Sequence, residues 1–423
     1  MCVRKNLLKQ KINGGALQLV IAIALVLLLI IGTFLLRKGL TDHFLASAQT
    51  VSQLQRNISS SVTMLESRAA TSQQDSIDVS LFPLLGDSTR INMKEWGLFD
   101  VAQIRTTIRN HSIGKAFLMG SDIGDRSVIP SLYMADPSRY LSIGGFAYIG
   151  NNSYLPGFGI RKGYVNGVGY YRDQLTFGKS YKAEKELPPL AGKHLSRLEM
   201  FISQGWNDPM VPYDKDLETG PVRRSFLEPT LLIEVSDEAE LQGVHLVGNI
   251  IVCSSGNIRI GGQTKIDQCL VVAESISIDP GFEGRGQFFA SKSIKLGKGS
   301  KLKMPSVLAV HNTTEHAEIT IEEGAELIGN IISNSFDSKP TSQLGILDRT
   351  RIVGQVYCNG YCDFHGTLLG SLYTKGFITI KPGSFYQNYL VNVCIDSDRL
   401  PEEFMGVSLT KSNAKYRKLD ELF

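Results

Sequence analysis

A short phrase that recurs in the second half of the chain constrains the fold more than any other feature. It consists of an isoleucine, any residue, an isoleucine or leucine, and then a glycine-containing turn. Alternation along a strand turns both aliphatic side chains to one face, and each glycine lets the chain turn without a steric penalty from Cβ. The phrase occurs at residues 258–262, 276–281, 294–299, 319–324 and 378–383.

A second set of apolar runs alternates with these phrases and gives the period. Eight such runs cover seven intervals and 140 residues, a mean spacing of 20 residues. A repeat of this length cannot bury its own apolar face, so successive repeats must stack. We therefore predict a mainly β fold in which residues 236–395 form a single-stranded β-solenoid (β-helix), with Ile321 and Ile378 facing its interior. The runs begin at Ile250, Leu270, Phe288, Val307, Ile331, Val356, Leu372 and Leu390.

An earlier segment carries the same pattern, because residues 141–151 align with residues 258–268. We predict a first solenoid rung at 141–155, an interrupting insertion at 156–235, and a C-terminal tail or cap at 396–423. Nine of the 36 aromatic residues lie between Phe146 and Tyr181, among many glycines. This density favours either a stacking platform for sugars or partners, or an ordinary β-meander.

The glycine-punctuated repeats resemble those of the bactofilins, which are polymer-forming cytoskeletal proteins, over about 155 residues. The resemblance implies a right-handed β-solenoid core and a homo-oligomeric assembly. This chain adds to such a core a hydrophobic N-terminal segment, a small entry domain at 81–140 and the large insertion.

Residues 16–36 are almost wholly apolar and predict one transmembrane helix. At 1.5 Å rise per residue they span about 31 Å, which matches one hydrocarbon core. Four cations precede the segment and two follow it, so a basic leader at 1–15 is predicted in the cytoplasm and the bulk of the chain outside, in a periplasm-like compartment. Ala46-Ser47-Ala48 offers the alternative of a cleaved signal, although the apolar stretch is longer than a signal core.

The basic leader ends in Gly14-Gly15 before the apolar helix, and this segment resembles the prepilin signal of type IV pilins and pseudopilins. Apolar residues from Phe44 to Leu65 keep helical spacing, which predicts an amphipathic helical stalk at 37–70. The resemblance implies a subunit of a filament or secretion machine. The glutamate expected five residues into a mature pilin is replaced here by Leu19 or Val20.

Beyond the stalk, residues 71–80 read as a polar linker. The first 40 residues carry six cations and no acid, which leaves 38 cations against 41 acids in the remainder. A slightly acidic body has no field that neutralises phosphates, so nucleic acid is excluded as a partner.

No complete catalytic motif is present, and we predict neither an enzyme nor a cofactor. Cys358, Cys362 and His365 supply three soft ligands within eight residues, but a zinc site needs a fourth ligand and usually a closer cysteine pair. A local disulfide between the two cysteines is the alternative. The acidic residues of the repeat region fall mostly at turns, where solvated carboxylates are expected. A carbohydrate-active β-helix enzyme is therefore the minority hypothesis.

Two polar insertions, at 311–318 and 333–343, lengthen neighbouring repeats after the same strand. Equivalent positions of stacked repeats lie side by side, so both loops are predicted to protrude from one interaction corner. We interpret the chain as a membrane-anchored, noncatalytic scaffold of the cell envelope that contacts envelope proteins or glycans. The corner residues are His311, Asn312, His316, Asn334, Phe336 and Asp337.

Overall fold

The structure, a computed structural model, describes residues 15–67, 76–123, 129–164, 167–206, 209–214, 217, 220–335, 342–381, 384–410 and 415–422. The protein is mainly β, as predicted, with one long N-terminal helix, a short helix in the middle of the chain and a 3₁₀ turn at Pro83–Leu85. Residues 1–14 of the predicted leader and residues 71–75 of the predicted linker lie outside the described residues.

Helix α1 (Gly15–Glu66) is continuous over 52 residues and contains the predicted span and the predicted stalk as far as Glu66. Its first half is apolar and exposed, and it is long and apolar enough to cross a membrane. Its second half buries Leu54, Ile58, Val62 and Leu65, spaced by four, four and three residues. This spacing forms one helical stripe that is covered by protein.

The stripe packs on a five-stranded antiparallel sheet in the order β1-β2-β3-β4-β29. In β3, Ala102 and Ile104 face the helix, whereas Phe99 and Val101 face the rest of the protein. The predicted C-terminal tail thus supplies an edge strand of this sheet. The strands are β1 (Ser76–Val79), β2 (Asp87–Trp96), β3 (Phe99–Ile108), β4 (His111–Ser121) and β29 (Tyr416–Leu422).

The remaining strands, most of them paired in parallel, close around an apolar interior and are here called the parallel body. Residues 384–387 pair antiparallel with residues 378–381. Its first part contains β5 (Leu132–Met134), β6 (Leu141–Gly144), β7 (Tyr148–Ile149), β8 (Ser153–Leu155), β9 (Ile160–Lys162), β10 (Ser180–Lys182), β11 (Met210–Pro212), β12 (Val222–Arg224), β13 (Thr230–Glu234), β14 (Glu238–Leu241), β15 (His245–Gly248) and β16 (Ile250–Cys253). Its second part contains β17 (Asn257–Ile260), β18 (Lys265–Ile278), β19 (Glu283–Leu296), β20 (Lys301–Asn312), β21 (Glu318–Ile321), β22 (Glu326–Ser335), β23 (Ser342–Ile346), β24 (Arg351–Phe364), β25 (Thr367–Lys381), β26 (Ser384–Gln387), β27 (Tyr389–Val391) and β28 (Cys394–Ile395).

The phrase identified in the sequence forms one column of buried side chains in register, which contributes to the interior. Ile321 is fully buried in this interior, in the neighbouring column, as expected. At the end of the column, however, Phe377 rather than Ile378 pairs with Cys362, and Ile380 is 62% exposed. Ile378 is buried outside the interior cluster, because a register shift between β24 and β25 displaces the alternation by one residue. The column is Ile258, Ile276, Ile294, Ile319, Leu344, Cys362 and Phe377.

The apolar runs are continuous because they are buried on both faces. In β18, Val271 faces the interior, whereas Leu270 and Val272 face outward against the antiparallel sheet and helix α2 (Gly192–Ile202). A strand covered on both sides needs apolar residues at every position instead of every second one. The antiparallel sheet is therefore packed between α1 and the parallel body.

The order of strands in space differs from their order in the chain. Leu372 pairs with Leu132, so the strands of the predicted first rung lie beyond 367–395 and not ahead of residue 230. The predicted insertion supplies strands to both ends of the body: β10 pairs with β8 at one end, and β11 pairs with β13 at the other.

Helix α2, which belongs to the same insertion, is held to the antiparallel sheet by a buried cluster of charges. Arg197 donates to the carboxylate of Asp100 and to the carbonyl oxygens of Leu98 and Phe99, and Lys193 Nζ lies 2.7 Å from Asp100 Oδ2. Burial opposes the charge of Asp100, but the two cations outweigh it and lower the pKa of the carboxyl group. The carboxylate is therefore ionised and paired in the folded protein.

Candidate interaction surfaces

The predicted corner is built at the ends of two strands that lie side by side. His311 near the end of β20 pairs in register with Asn334 of β22. The amide Nδ2 of Asn334 donates to Nδ1 of His311 at 3.1 Å, and Nδ2 of Asn359 donates to Oδ1 of Asn334 at 2.9 Å. Three successive polar side chains thus form a hydrogen-bonded ladder across neighbouring strands, and the sequence analysis did not identify Asn359 as a member.

Helix α2 runs beside this ladder and forms one wall of an open groove of about 590 Å³. Glu199 from the helix places Oε1 3.9 Å from Nε2 of His311. Burial lowers the pKa of His311, and the nearby Glu199 only partly opposes the shift. The ring is therefore neutral at pH 7, and the groove presents one carboxylate among amide and hydroxyl groups. Its other lining residues include Ser196, Met200, Ser291, Asn312 and Thr313.

The remaining corner residues differ in what they do. Asn312 accepts hydrogen bonds at Oδ1 from the backbone N–H groups of Thr314 and Glu315, so it shapes the loop that follows β20. His316 is partly exposed on this loop, 3.8 Å from a carboxylate oxygen of Glu318. Phe336 and Asp337 lie outside the described residues. Of the predicted corner, the structure brings His311, Asn312 and Asn334 together.

The proposed soft ligands do not converge. Cys358 and Cys362 are free thiols buried in the interior, whereas Asp363 is on the opposite face of β24 and pairs at 2.8 Å with His365, which follows the end of that strand. Burial raises the pKa of Cys358 to about 12 and that of Cys362 well above its usual range, which keeps both thiols protonated. No group of three or more metal-ligating side chains occurs within the described residues.

Acidic residues of the repeat region pair with cations from neighbouring strands and form no cluster. Glu322 lies 2.8 Å from Lys295, and hydrogen bonding to this lysine lowers the pKa of the carboxyl group. Asp279 lies 2.9 Å from Arg259. Both pairs are partly exposed, and each contributes at most about 1 kcal/mol.

The aromatic region from Phe146 to Tyr181 lies at one end of the parallel body. Tyr154 and Tyr181 belong to a ladder of five neighbouring tyrosine rings. The hydroxyl of Tyr357, at one end of the ladder, donates to the carbonyl oxygen of Pro188, and Tyr181, at the other end, is partly exposed. Ring centroids of neighbours in this ladder are 5.0–6.2 Å apart, a distance typical of stabilising aromatic pairs. The ladder is Tyr357, Tyr373, Tyr133, Tyr154 and Tyr181.

A second aromatic group lies at the same end and is more exposed. Tyr148 stacks on Phe177 at 4.4 Å, and the guanidinium group of Arg172 lies over both rings. Phe146 and Tyr171 form another pair, and both are more than half exposed. The density of aromatic residues in the sequence therefore has two uses here: part of it holds strands together, and part of it forms an exposed surface.

Comparison with known proteins identifies no relative of this chain. The chain matches no protein-family model, and neither a curated protein nor a solved structure shows significant similarity to it.

Proposed function

We propose that the protein is a single-pass membrane-anchored, noncatalytic scaffold of the cell envelope, with a β-solenoid body that presents interaction surfaces outside the cytoplasm. The observation that carries this proposal is helix α1, which is exposed and apolar along its first half and packed on the antiparallel sheet along its second. One rigid element thus joins an anchor to the folded body.

The solenoid assignment rests on the columns of in-register residues. Ile331 pairs with Val356 and Val356 with Leu372, which are 25 and 16 positions further along the chain. Parallel pairing between successive stretches of the chain, here 16 to 25 residues apart, is the pattern expected when one chain coils repeatedly around the same axis. The excess residues of the longer intervals fall in loops such as 313–317, between β20 and β21.

The anchor would hold the body at a fixed distance from the membrane. Between Leu36, the last residue of the apolar segment, and Leu54, the first buried residue, the helix advances 18 residues, or about 27 Å. The groove beside His311 and the exposed aromatic group would then be accessible to partners in the surrounding compartment. Both surfaces combine polar groups with exposed apolar ones, as protein-binding sites commonly do.

Extraction of membranes at alkaline pH tests the anchor. The full-length chain should remain with the membrane, whereas a Leu25→Arg/Leu29→Arg variant should be released, because each arginine at the centre of a span costs about 2.5–3.5 kcal/mol. The matched variant Gln49→Arg/Gln55→Arg places the same charges on the exposed stalk and should remain bound. Release of the unmodified chain would contradict the anchor, and protection of the body from protease added outside the cytoplasmic membrane would contradict the orientation.

A pilin-like filament subunit is a second candidate, favoured by the same helix. Its unbroken course from an apolar half to an amphipathic half that lies on an antiparallel sheet is similar to the helix on which type IV pilins are built. Intact-mass measurement of the membrane-extracted protein separates the two candidates. An N-terminus at Gly15 or Ala16 supports the pilin-like subunit, and retention of residues 1–14 supports the simple anchor.

A further inference from the structure

A cleft of about 460 Å³ opens on the surface of the parallel body where β24, β25, β26 and β27 meet. It lies apart from the corner groove and contains none of the predicted corner residues. Its volume is within the range of sites that hold small molecules, roughly 300–1,000 Å³. The cleft therefore has room for a ligand larger than an ion.

One side of the cleft carries a fixed group of polar side chains. Asp363 Oδ1 accepts a hydrogen bond from Oγ1 of Thr379 at 2.7 Å, and it lies 2.8 Å from Nε2 of His365. Asp348 is exposed on the neighbouring turn. The hydroxyl of Thr379 is bonded to the carboxylate and not to the histidine, so the group lacks the order of a nucleophile–base–acid relay.

The other side is apolar and aromatic. Tyr386 and Tyr389 are half-buried, and their ring centroids lie 5.9 Å apart at an angle of 74°. Leu347 and Ile380 expose 37% and 62% of their surface beside them. Tyrosine rings offer a flat apolar face together with a hydroxyl group, which suits a ring that has an apolar face and a polar edge.

The charges of the lining residues limit the ligand further. The carboxylates of Asp348 and Asp363 only accept hydrogen bonds, and no lysine or arginine lines the cleft among the described residues. An acidic ligand would meet two carboxylates of like charge, of which only Asp363 has a histidine beside it, whereas a neutral ligand with several O–H or N–H donors can donate to the carboxylate oxygens. The aliphatic surface of Leu347 and Ile380 beside the carboxylates is suited to a methyl group.

We propose that this cleft binds a neutral oligosaccharide of N-acetylated hexosamines. A pyranose ring stacks on a tyrosine, hydroxyl and amide N–H groups donate to Asp348 and Asp363, and the acetyl methyl group contacts Leu347 and Ile380. The site requires no membrane anchor and no cofactor, so it stands independently of the function proposed above.

Calorimetric titration of the full-length protein with triacetylchitotriose tests the site. The protein should be held in a detergent without a sugar head group, which would otherwise compete. Binding should be measurable, and both Tyr386→Ala and Asp348→Ala should weaken it by about tenfold or more, because each removes a direct contact without opening the interior. Tyr140→Ala, which removes a partly exposed aromatic outside the cleft, is the matched control and should leave affinity unchanged.

Two comparison sugars sharpen the test. Cellotriose has the same linkage without acetamido groups and should bind more weakly, and the acidic trisaccharide trigalacturonate should not bind. If triacetylchitotriose does not bind, the proposed site is wrong. The site is also wrong if the two cleft variants melt normally and bind the sugar with unchanged affinity. Equal binding of cellotriose would overturn the N-acetyl assignment. None of these results depends on membrane anchoring, so they leave that proposal to its own experiment.

Discussion

At the scale of single residues, a column of glycines in the parallel body allows neighbouring strands to approach each other closely. Gly329, Gly354 and Gly370 pair in register on successive strands, and each has a positive φ between 145° and 158°. A Cβ atom built on Gly354 would lie 1.8 Å from the carbonyl oxygen of Gly329. The strands can approach this closely only because no side chain stands between them.

Gly354→Ala should therefore lower the free energy of unfolding by about 3 kcal/mol or more, since it combines backbone strain with a clash against a neighbouring carbonyl. Gly345→Ala is the matched control, because its φ is not positive and its nearest neighbouring atom would lie 3.9 Å away. Denaturant melts of both variants give the comparison. Equal stability of the two variants would show that the strands separate more easily than the column implies.

At the scale of elements, α2 joins the antiparallel sheet to the parallel body through groups that respond differently to pH. Asp100 is ionised between Arg197 and Lys193, whereas His194 is buried beside the same two cations. Burial, with smaller contributions from Arg197 and Lys193, lowers the pKa of His194 to about 4. Its Nε2 lies 3.1 Å from the carbonyl oxygen of Ser408, which a neutral ring can satisfy as a donor.

Because the folded pKa of His194 lies below the ordinary value of 6.5, the unfolded chain binds the proton first as pH falls. The histidine therefore lowers the free energy of unfolding progressively from about pH 6.5 to pH 4, by roughly 3 kcal/mol in total. Denaturant melts of the detergent-solubilised protein across this range should show the decline, and His194→Gln should make it shallower. The slope that remains is expected from His311, whose pKa burial also lowers. An unchanged slope in the variant would contradict a buried, neutral His194.

At the scale of the whole molecule, one interior cluster extends from Leu132 to Ile395 and includes strands from both ends of the body. The antiparallel sheet and α2 are attached to its outer face through a second cluster. A disturbance at one point of the interior should therefore destabilise the parallel body as a unit and not one strand alone.

Ile321→Asp tests this continuity, because it places a carboxylate in the apolar interior between Leu296 and Ile346. We expect a loss of roughly 5 kcal/mol, from lost packing and uncompensated burial of a polar group. Ile380→Asp introduces the same residue at an exposed position and should change stability by less than about 0.5 kcal/mol. Melting followed by circular dichroism and by tryptophan fluorescence should give coincident transitions. Separate transitions in the Ile321 variant would show independent folding units.

The structural features that could be predicted from the sequence are those that depend on residues close together in the chain. The length of the apolar segment, the period of the glycine-punctuated phrases and the alternation at Ile319 and Ile321 are all local, because strand and helix geometry alone relates their spacing to a buried face. The mainly β class and the apolar helix followed from these patterns and are confirmed by the structure.

The tertiary structure decided everything that depends on which distant strands meet. Leu132 is paired with Leu372, 240 positions away, and a local pattern does not record such a pairing. Register shifts in the last strands put Phe377 in the place predicted for Ile378, and the alternation of β24 separates Cys362 from Asp363. The cleft beside Asp363 lies where four consecutive strands, β24 to β27, meet, and its shape depends on the register of β24 with β25 and on the antiparallel pairing of β25 with β26.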